Sequence, residues 1–277
     1  MDSSHGMRGS ELRNEETHVP VTDALDLRMF VGTWNVGGKS PNDSLNLRDW
    51  LKSPSQPHIY VIGLQEIVPL NTGNVIGPED IGPISKWVGL ISEALNNNHN
   101  KRATHNERDY WVVVERKQMV GIFLCVWIHI DLYTYVSNIN VSCVGRGIMG
   151  YLGNKLRIEQ RAGRVFKGWN EGRIYFAPTY KYLANSDNYV AQTSKSKEKK
   201  RTPAWCDRIL WKGEGLKQMW YVRGESKFSD HRPVYSLFSL QLDLRSKYLT
   251  PTPFSSTFAS KVQVEEQILV LEGYKVS

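Results

Sequence analysis

The chain has 277 residues, 40% hydrophobic and 11% aromatic with nine tryptophans, a globular composition with apolar mass for a sizeable core. A net charge of +7 and an isoelectric point near 9.2 favour an acidic partner: a phosphorylated small molecule, a nucleic acid or an anionic membrane surface. Three widely spaced cysteines exclude a zinc-binding pair, the polar first 17 residues exclude a secretory signal, and the longest apolar run, 120–130, is too short to span a bilayer.

In chain order, residues 1–26 read as a flexible leader. The apolar run 29–34 stops at the turn Asn35-Val36-Gly37-Gly38 and reads as a buried strand; 59–64 reads as a second, ending in Gln65-Glu66-Ile67. A short helix is expected between them, at 46–52. Ile84, Trp87, Val88, Ile91 and Leu95 recur at helical spacing and predict an amphipathic helix over 84–97. Beyond a polar loop at 98–109, strands are expected at 110–115, 119–130 and 139–144. The run 120–130 is apolar on both faces and calls for a layer on each side. Further strands are expected around Ile174, at 207–211 and over 234–240. The tail from 245 is rich in Ser, Thr and Pro to 260. It ends in an apolar patch at 268–271, which either adds an edge strand or stays loosely attached. Many strands with few helices suggest an α/β sandwich rather than an alternating doubly wound sheet.

Two stretches carry chemistry. Asp230 and His231 stand at the mouth of the last long strand. Histidine titrates near neutrality and the carboxylate adds charge, so the pair suits proton or phosphate chemistry. Alone, Asp-His is a common surface pair. Upstream, however, Asp207 lies inside the aromatic-rich run Pro203-Ala204-Trp205-Cys206-Asp207-Arg208, where an unpaired buried carboxylate is costly. His231 is its candidate partner. Asn35 and Glu66 close neighbouring buried strands, where ligands of open α/β sheets gather. Glu66 suits Mg²⁺, which takes one or two protein carboxylates and fills its shell with water and phosphate oxygens. Tyr180, Lys181, Lys199 and Arg201 offer hydroxyl and cationic donors for phosphate, although a solvated loop has the same composition. Cys206 reads as a small buried hydrophobe.

Six segments now occur in a recognisable order: Thr33-Trp34-Asn35-Val36, Gly63-Leu64-Gln65-Glu66-Ile67, Gly153-Asn154-Lys155, Pro178-Thr179-Tyr180-Lys181-Tyr182, Pro203-Ala204-Trp205-Cys206-Asp207-Arg208 and Ser229-Asp230-His231-Arg232-Pro233-Val234. Together, over about 27–242, they resemble the inositol polyphosphate 5-phosphatases, most closely the plant type I group. The resemblance implies the fold of the endonuclease/exonuclease/phosphatase superfamily, a DNase I-like α/β (α+β) sandwich of two packed mixed β-sheets flanked by helices. It implies a catalytic domain over 27–244 and a tail over 245–277. It also implies Mg²⁺ at Glu66, with Asn35 helping to hold the metal and the attacking water. Asp207 would orient His231, which stabilises the scissile phosphate, and Asp230 would lie beside the metal. Tyr180, Lys181, Lys199 and Arg201 would grip the phosphate at ring position 4, with Asn154 and Lys155 at the pocket edge. The substrate would be an inositol phosphate or phosphoinositide, reached at an anionic membrane or in solution, and no nucleic acid is expected. From the polar first residues and the lack of a spanning run, an intracellular location is expected, soluble or peripheral to a membrane, in the cytoplasm or the nucleus.

The resemblance also implies a departure. Gly153-Asn154-Lys155 runs straight into Leu156-Arg157-Ile158, and the family's Ser-His-Leu and Trp-x-Gly-Asp-x-Asn-Tyr-Arg segments are absent. These would activate the water and contact the phosphate, so a central block is missing at 155–156 and the sandwich is incomplete. Two readings therefore stand: a Mg²⁺-dependent 5-phosphatase, or a catalytically dead phosphoinositide-binding or regulatory fragment. A nuclease of the same superfamily is set aside, because Tyr180-Lys181 and the Trp205-Cys206-Asp207-Arg208 context resemble the phosphatases.

Overall fold

A computed structural model describes residues 24–42, 44–69, 82–97, 109–119, 121–136, 166–192, 201–243 and 268–272. In chain order these form β1 (Ala24–Asn35), α1 (Arg48–Leu51), β2 (Ile59–Gln65), α2 (Gly82–Asn96), β3 (Trp111–Met119), β4 (Ile122–His129), β5 (Asn170–Glu171), β6 (Arg208–Lys212), β7 (Leu216–Arg223), β8 (Val234–Asp243) and β9 (Ile268–Glu272).

Burial along β1 explains why the molecule is built around it. Phe30 and Trp34 face one way and Met29, Val31 and Thr33 the other, and all five are buried. A strand reads as a continuous apolar run when both of its faces are covered. β1 lies inside a six-stranded sheet of order β3-β4-β2-β1-β8-β7. It pairs parallel with β2 and antiparallel with β8, so that Asn35 stands opposite Gln65 and Thr33 opposite Val234.

One face of this sheet carries the helices. Ile84, Trp87, Ile91 and Leu95 of α2 are buried against it, as their spacing predicts, and Trp50 of α1 meets Trp34 edge-on at 5.4 Å. Trp50 packs this close to β1 because Gly32 lacks a side chain: a Cβ there would stand 2.7 Å from the indole. On the other face a three-stranded sheet, β5-β6-β9, covers β1 and β8 through Ile209, packed with Met29, Val31, Val234 and Phe238.

Several elements differ from the sequence pattern. No strand forms at Ile174; the pairing there is confined to Asn170–Glu171 opposite β6. β7 has no alternating signature because a bulge between Gln218 and Trp220 shifts its register. The apolar patch at the C-terminus forms β9, antiparallel to β6. β4 is not buried along the whole of both faces: Phe123, Cys125 and Trp127 are buried on one, whereas on the other Ile128 is buried, Leu124 and Val126 are half-buried and Ile122 is 43% exposed. The strand expected at 139–144 lies outside the described residues. No helix among them is long and apolar enough to cross a membrane.

Candidate active site

The site is assembled where β1, β2, β6 and β8 begin or end. Asp207 immediately precedes β6, and His231 lies three residues before β8. The two sheets bring them together: Nδ1 of His231 is 2.8 Å from Oδ2 of Asp207, and their side chains are 1% and 0% exposed. The His231 backbone is fixed on both sides, its N–H donating to Ser229 Oγ at 3.1 Å and its carbonyl accepting from Trp34 Nε1 at 3.2 Å. Burial works to lower the His231 pKa. Asp207, Asp230 and Glu66 outweigh it, and the net shift is upward. The imidazole is thus held toward its cationic form, with Nε2 free of the Asp207 contact and Tyr180 against its ring at 4.4 Å.

The second pair sits on the neighbouring strand ends. Asn35 Nδ2 donates to Glu66 Oε1 at 2.9 Å, and Gly37 N–H donates to Asn35 Oδ1 at 2.9 Å, which fixes the orientation of the carboxamide. Glu66 is buried and has a φ of 52°, a conformation sparsely populated by residues other than glycine and concentrated at functional sites. Beneath it, Gln65 Nε2 donates to Thr33 Oγ1 at 2.9 Å. A Cβ on Gly37, whose N–H holds Asn35, would stand 3.3 Å from Asp230 Oδ1 and 3.2 Å from Ser229 Oγ, so the segment that carries His231 packs against the turn after β1.

The substrate-binding candidates fall unevenly. Tyr180 is buried, and its hydroxyl pKa is pushed up to about 12 by burial and by Asp230, with Arg201 near enough to oppose the shift. Lys181 reaches Asp230 at 4.0 Å. Arg201 is half-buried on the same side. Asn154, Lys155 and Lys199 lie outside the described residues. Cys206 is buried, and burial raises its thiol pKa, consistent with an unreactive packing role.

Sequence reasoning missed the groups that hold these residues in place. Arg232, fully buried, lies 3.9 Å over the Tyr182 ring and donates through Nη2 to Ser186 O at 2.6 Å and to Asp187 at 3.2 Å. Backbone bonds from Tyr182 N to Asp230 O and from Arg232 N to Thr179 O stitch the two segments together. Arg208 is bound to Glu171, its Nε at 2.6 Å from Oε1, which anchors the start of β6 beside Asp207. The available signal was charge in apolar surroundings, since Arg208 and Arg232 each flank a site residue at the edge of a buried run.

A metal fits part of this set. Glu66, Asn35 and Asp230 are hard oxygen donors, and among the described residues no three His, Cys, Asp or Glu side chains converge as a closed metal cage. That chemistry matches a cation which keeps most of its shell in water and phosphate oxygens, and it does not match structural zinc.

Comparison with known proteins defines the class first. The chain belongs to endonuclease/exonuclease/phosphatase family 2, whose model matches residues 32–159 and 154–237, with Asn35 and Glu66 in the first stretch and Asp207 and His231 in the second. Within that family its kin are the inositol polyphosphate 5-phosphatases, which makes it by family a phosphoric monoester hydrolase. The type I inositol polyphosphate 5-phosphatase 8 of Arabidopsis thaliana is 44% identical over 92% of this chain and 82% of its own length. Type I 5-phosphatase 4 of the same plant is 31% identical over 95% of this chain and 86% of its own. The first alignment runs over 393 positions against 277 residues here, so more than a hundred of its positions stand opposite a gap in this chain. The fold is shared with the inositol polyphosphate 5-phosphatase domain of a synaptojanin in complex with inositol (1,4)-bisphosphate and calcium ion. That likeness has a TM-score of 0.63 at 20% identity, over 79% of this chain and 86% of the other. It is shared more distantly with Cimex nitrophorin, at a TM-score of 0.50 and 14% identity, over 78% of this chain and 99% of the other.

Proposed function

We propose that the site binds the 5-phosphate of an inositol polyphosphate or phosphoinositide and hydrolyses it with Mg²⁺, at a rate limited by the missing central block. The observation that carries this reading is the buried Asp207–His231 pair together with the Asn35–Glu66 pair, on segments packed against each other at Gly37 and Asp230. Water attacks phosphorus in line as the bond to the ring oxygen breaks, and negative charge gathers on the phosphoryl oxygens. His231, oriented through Nδ1 by Asp207, donates from Nε2 to one of them, a contact that strengthens as charge develops. Glu66 and Asn35, with Asp230 beside them, would hold the metal, which supplies Lewis-acid neutralisation of the same charge when bound. Lys181, Lys199 and Arg201 bind the adjacent phosphate, and on a membrane the same cations meet the anionic headgroup layer.

The gap supports a second reading. The two matches to the family model meet at 154–159, beside the Lys155–Leu156 junction, and the relative's extra positions need a place in the chain. A protein without the family's Gly-Asp-x-Asn segment would keep phosphate affinity and lose most turnover. The experiment is phosphate release beside calorimetric binding of inositol 1,4,5-trisphosphate, with charge-neutral substitution of Lys181, Lys199 and Arg201. Binding that weakens with that substitution and with rising salt is expected. Unchanged affinity in the triple variant would overturn the assignment of the cluster.

A further inference from the structure

The segment from Ala177 to Tyr182 presents Tyr180 against the His231 ring and Lys181 toward Asp230. Its middle is held by neighbouring backbone. Tyr180 exchanges two bonds with Ala204, Thr179 O accepts from Arg232 N at 2.9 Å, and Lys181 O accepts from Val190 N at 3.0 Å. The carbonyls of Ala177 and Pro178, where the segment begins, are held by a side chain. Arg223 Nη1 lies 3.1 Å from the first and 2.9 Å from the second. The same nitrogen donates to the Tyr182 hydroxyl at 2.6 Å, so one guanidinium ties the beginning of the segment to its end.

Arg223 is itself fixed. It is the last residue of β7 and pairs with Val234, three residues past His231, and the next N–H, that of Gly224, donates to Pro233 O at 2.7 Å. The opposite edge of its fork, Nε and Nη2, lies 2.9 and 3.1 Å from the two Glu225 carboxylate oxygens. With that edge engaged, the planar group has one orientation, and Nη1 is turned to the segment.

Tyr182 is the other half of this clamp. It is buried, and Arg232 lies 3.9 Å over its ring. Burial, and then the bond to Tyr189, push its hydroxyl pKa up to about 12. It therefore keeps the proton with which it reaches Pro178 O at 2.9 Å or Tyr189 at 2.7 Å, and Tyr189 donates to Pro178 O at 2.9 Å. Deleting the guanidinium leaves Pro178 O these tyrosyl donors and leaves Glu225, 63% exposed, in water. The damage is a loosened segment rather than an unfolded chain.

We infer that Arg223 is a positioning residue for substrate choice: it fixes where Tyr180 and Lys181 meet the phosphate adjacent to the scissile one. This rests on the proposed function, which assigns that phosphate to the Lys181 cluster.

The experiment combines two readouts on the full chain, and the first needs no ligand. The Tyr180 ring, 4.4 Å from that of His231, shifts the His231 Cε1–H proton resonance by its ring current. Arg223→Met is expected to move that resonance in the direction in which Tyr180→Leu moves it, with the near-ultraviolet circular dichroism of the parent retained. Arg223→Lys keeps the charge without the fork and is expected to behave like Arg223→Met. Tyr182→Phe removes the hydroxyl and keeps the ring; it should move the resonance the same way, and it decides if Arg223→Met fails to fold. The second readout is a double-mutant cycle by calorimetry with inositol 1,4-bisphosphate. Arg223→Met and Lys181→Met are each expected to weaken binding about tenfold, and the double variant by little more than either alone, because both act through one contact. Losses that multiply to about a hundredfold, an unmoved resonance in folded protein, or full rescue by Arg223→Lys each overturn the inference. A parent that binds no bisphosphate overturns the proposed function instead, and the resonance then decides for or against Arg223.

Discussion

On the β1, β8 and β7 side, the large sheet is sandwiched: helices and Trp34 on one face, Ile209 and the β5-β6-β9 sheet on the other, with Val31, Val234 and Phe238 fully buried between. On the β2, β4 and β3 side the helix face is closed, while the other face is closed at its Ile128 end and less covered toward Ile122. There Tyr60, Ile62, Phe123, Cys125 and Trp127 are buried, yet on the opposite face Val61, Leu124 and Val126 are half-buried and Ile122 is exposed. The register shows that these belong to one patch, Val61 opposite Val126 and Gly63 opposite Leu124. The site straddles the boundary. Its histidine half, Asp207 and His231, rests on the finished side, and Glu66 closes a strand of the open side. The pairs that make up the site are therefore formed at the meeting of two sides that are covered unequally among the described residues.

The proposed loss of a central block offers the most severe test of this contrast. Inserting the central segment of a 5-phosphatase relative between Lys155 and Leu156 is expected to raise 5-phosphate release a hundredfold or more, on the order of 3 kcal/mol of barrier. It should also abolish binding of a hydrophobic dye and sharpen thermal unfolding. A chain that melts sharply and turns over like an intact relative without the insertion would show that another residue positions the water.

Within whatever turnover exists, Glu66→Ala and His231→Ala are each expected to reduce kcat about a hundredfold, since each removes a group acting on the developing charge. Activity that persists in excess chelator would remove the metal from the mechanism.

Burial itself gives a third contrast. Phe238→Ala, in the sandwiched half, is expected to cost about 3–5 kcal/mol in denaturant unfolding. Leu124→Ala, on the open face, should cost under about 1 kcal/mol, because little packed surface is lost. Equal losses would mean that the open face is covered in solution.

How far these features were legible follows from their physics. β1, β2 and α2 announced themselves because a strand buried on both faces and a one-sided helix leave periodic apolar signatures. Asp207 and His231 were paired from sequence by the cost of an unmatched buried carboxylate. β7 was illegible because its bulge breaks the alternation, and the half-strength burial of Leu124 and Val126 could not be read, because composition says only that a residue is apolar, not whether a layer reaches it. Arg232 and Arg223 escaped for a related reason. Their meaning lies in which partners they have, and partners are a property of the assembled fold.

The smallest effect concerns charge in the finished half. His231 is buried, which by itself lowers its pKa, but Asp207, Asp230 and Glu66 reverse that and raise it. A histidine with a folded pKa above its unfolded value of 6.5 contributes stability that is fully present below that value. The contribution is lost as pH climbs through the folded pKa. The stability gap between the parent and His231→Gln should therefore narrow as pH rises from 5.5 to 9, measured by denaturant unfolding at constant ionic strength. Asp207→Asn makes the sign itself testable. With the leading carboxylate neutral, burial becomes dominant and the folded pKa falls below the unfolded one. The penalty then sits at low pH, and the gap between Asp207→Asn and the Asp207→Asn/His231→Gln double variant should widen as pH rises. A gap that narrows in both backgrounds would mean that Asp230 and Glu66, rather than Asp207, hold the proton on His231.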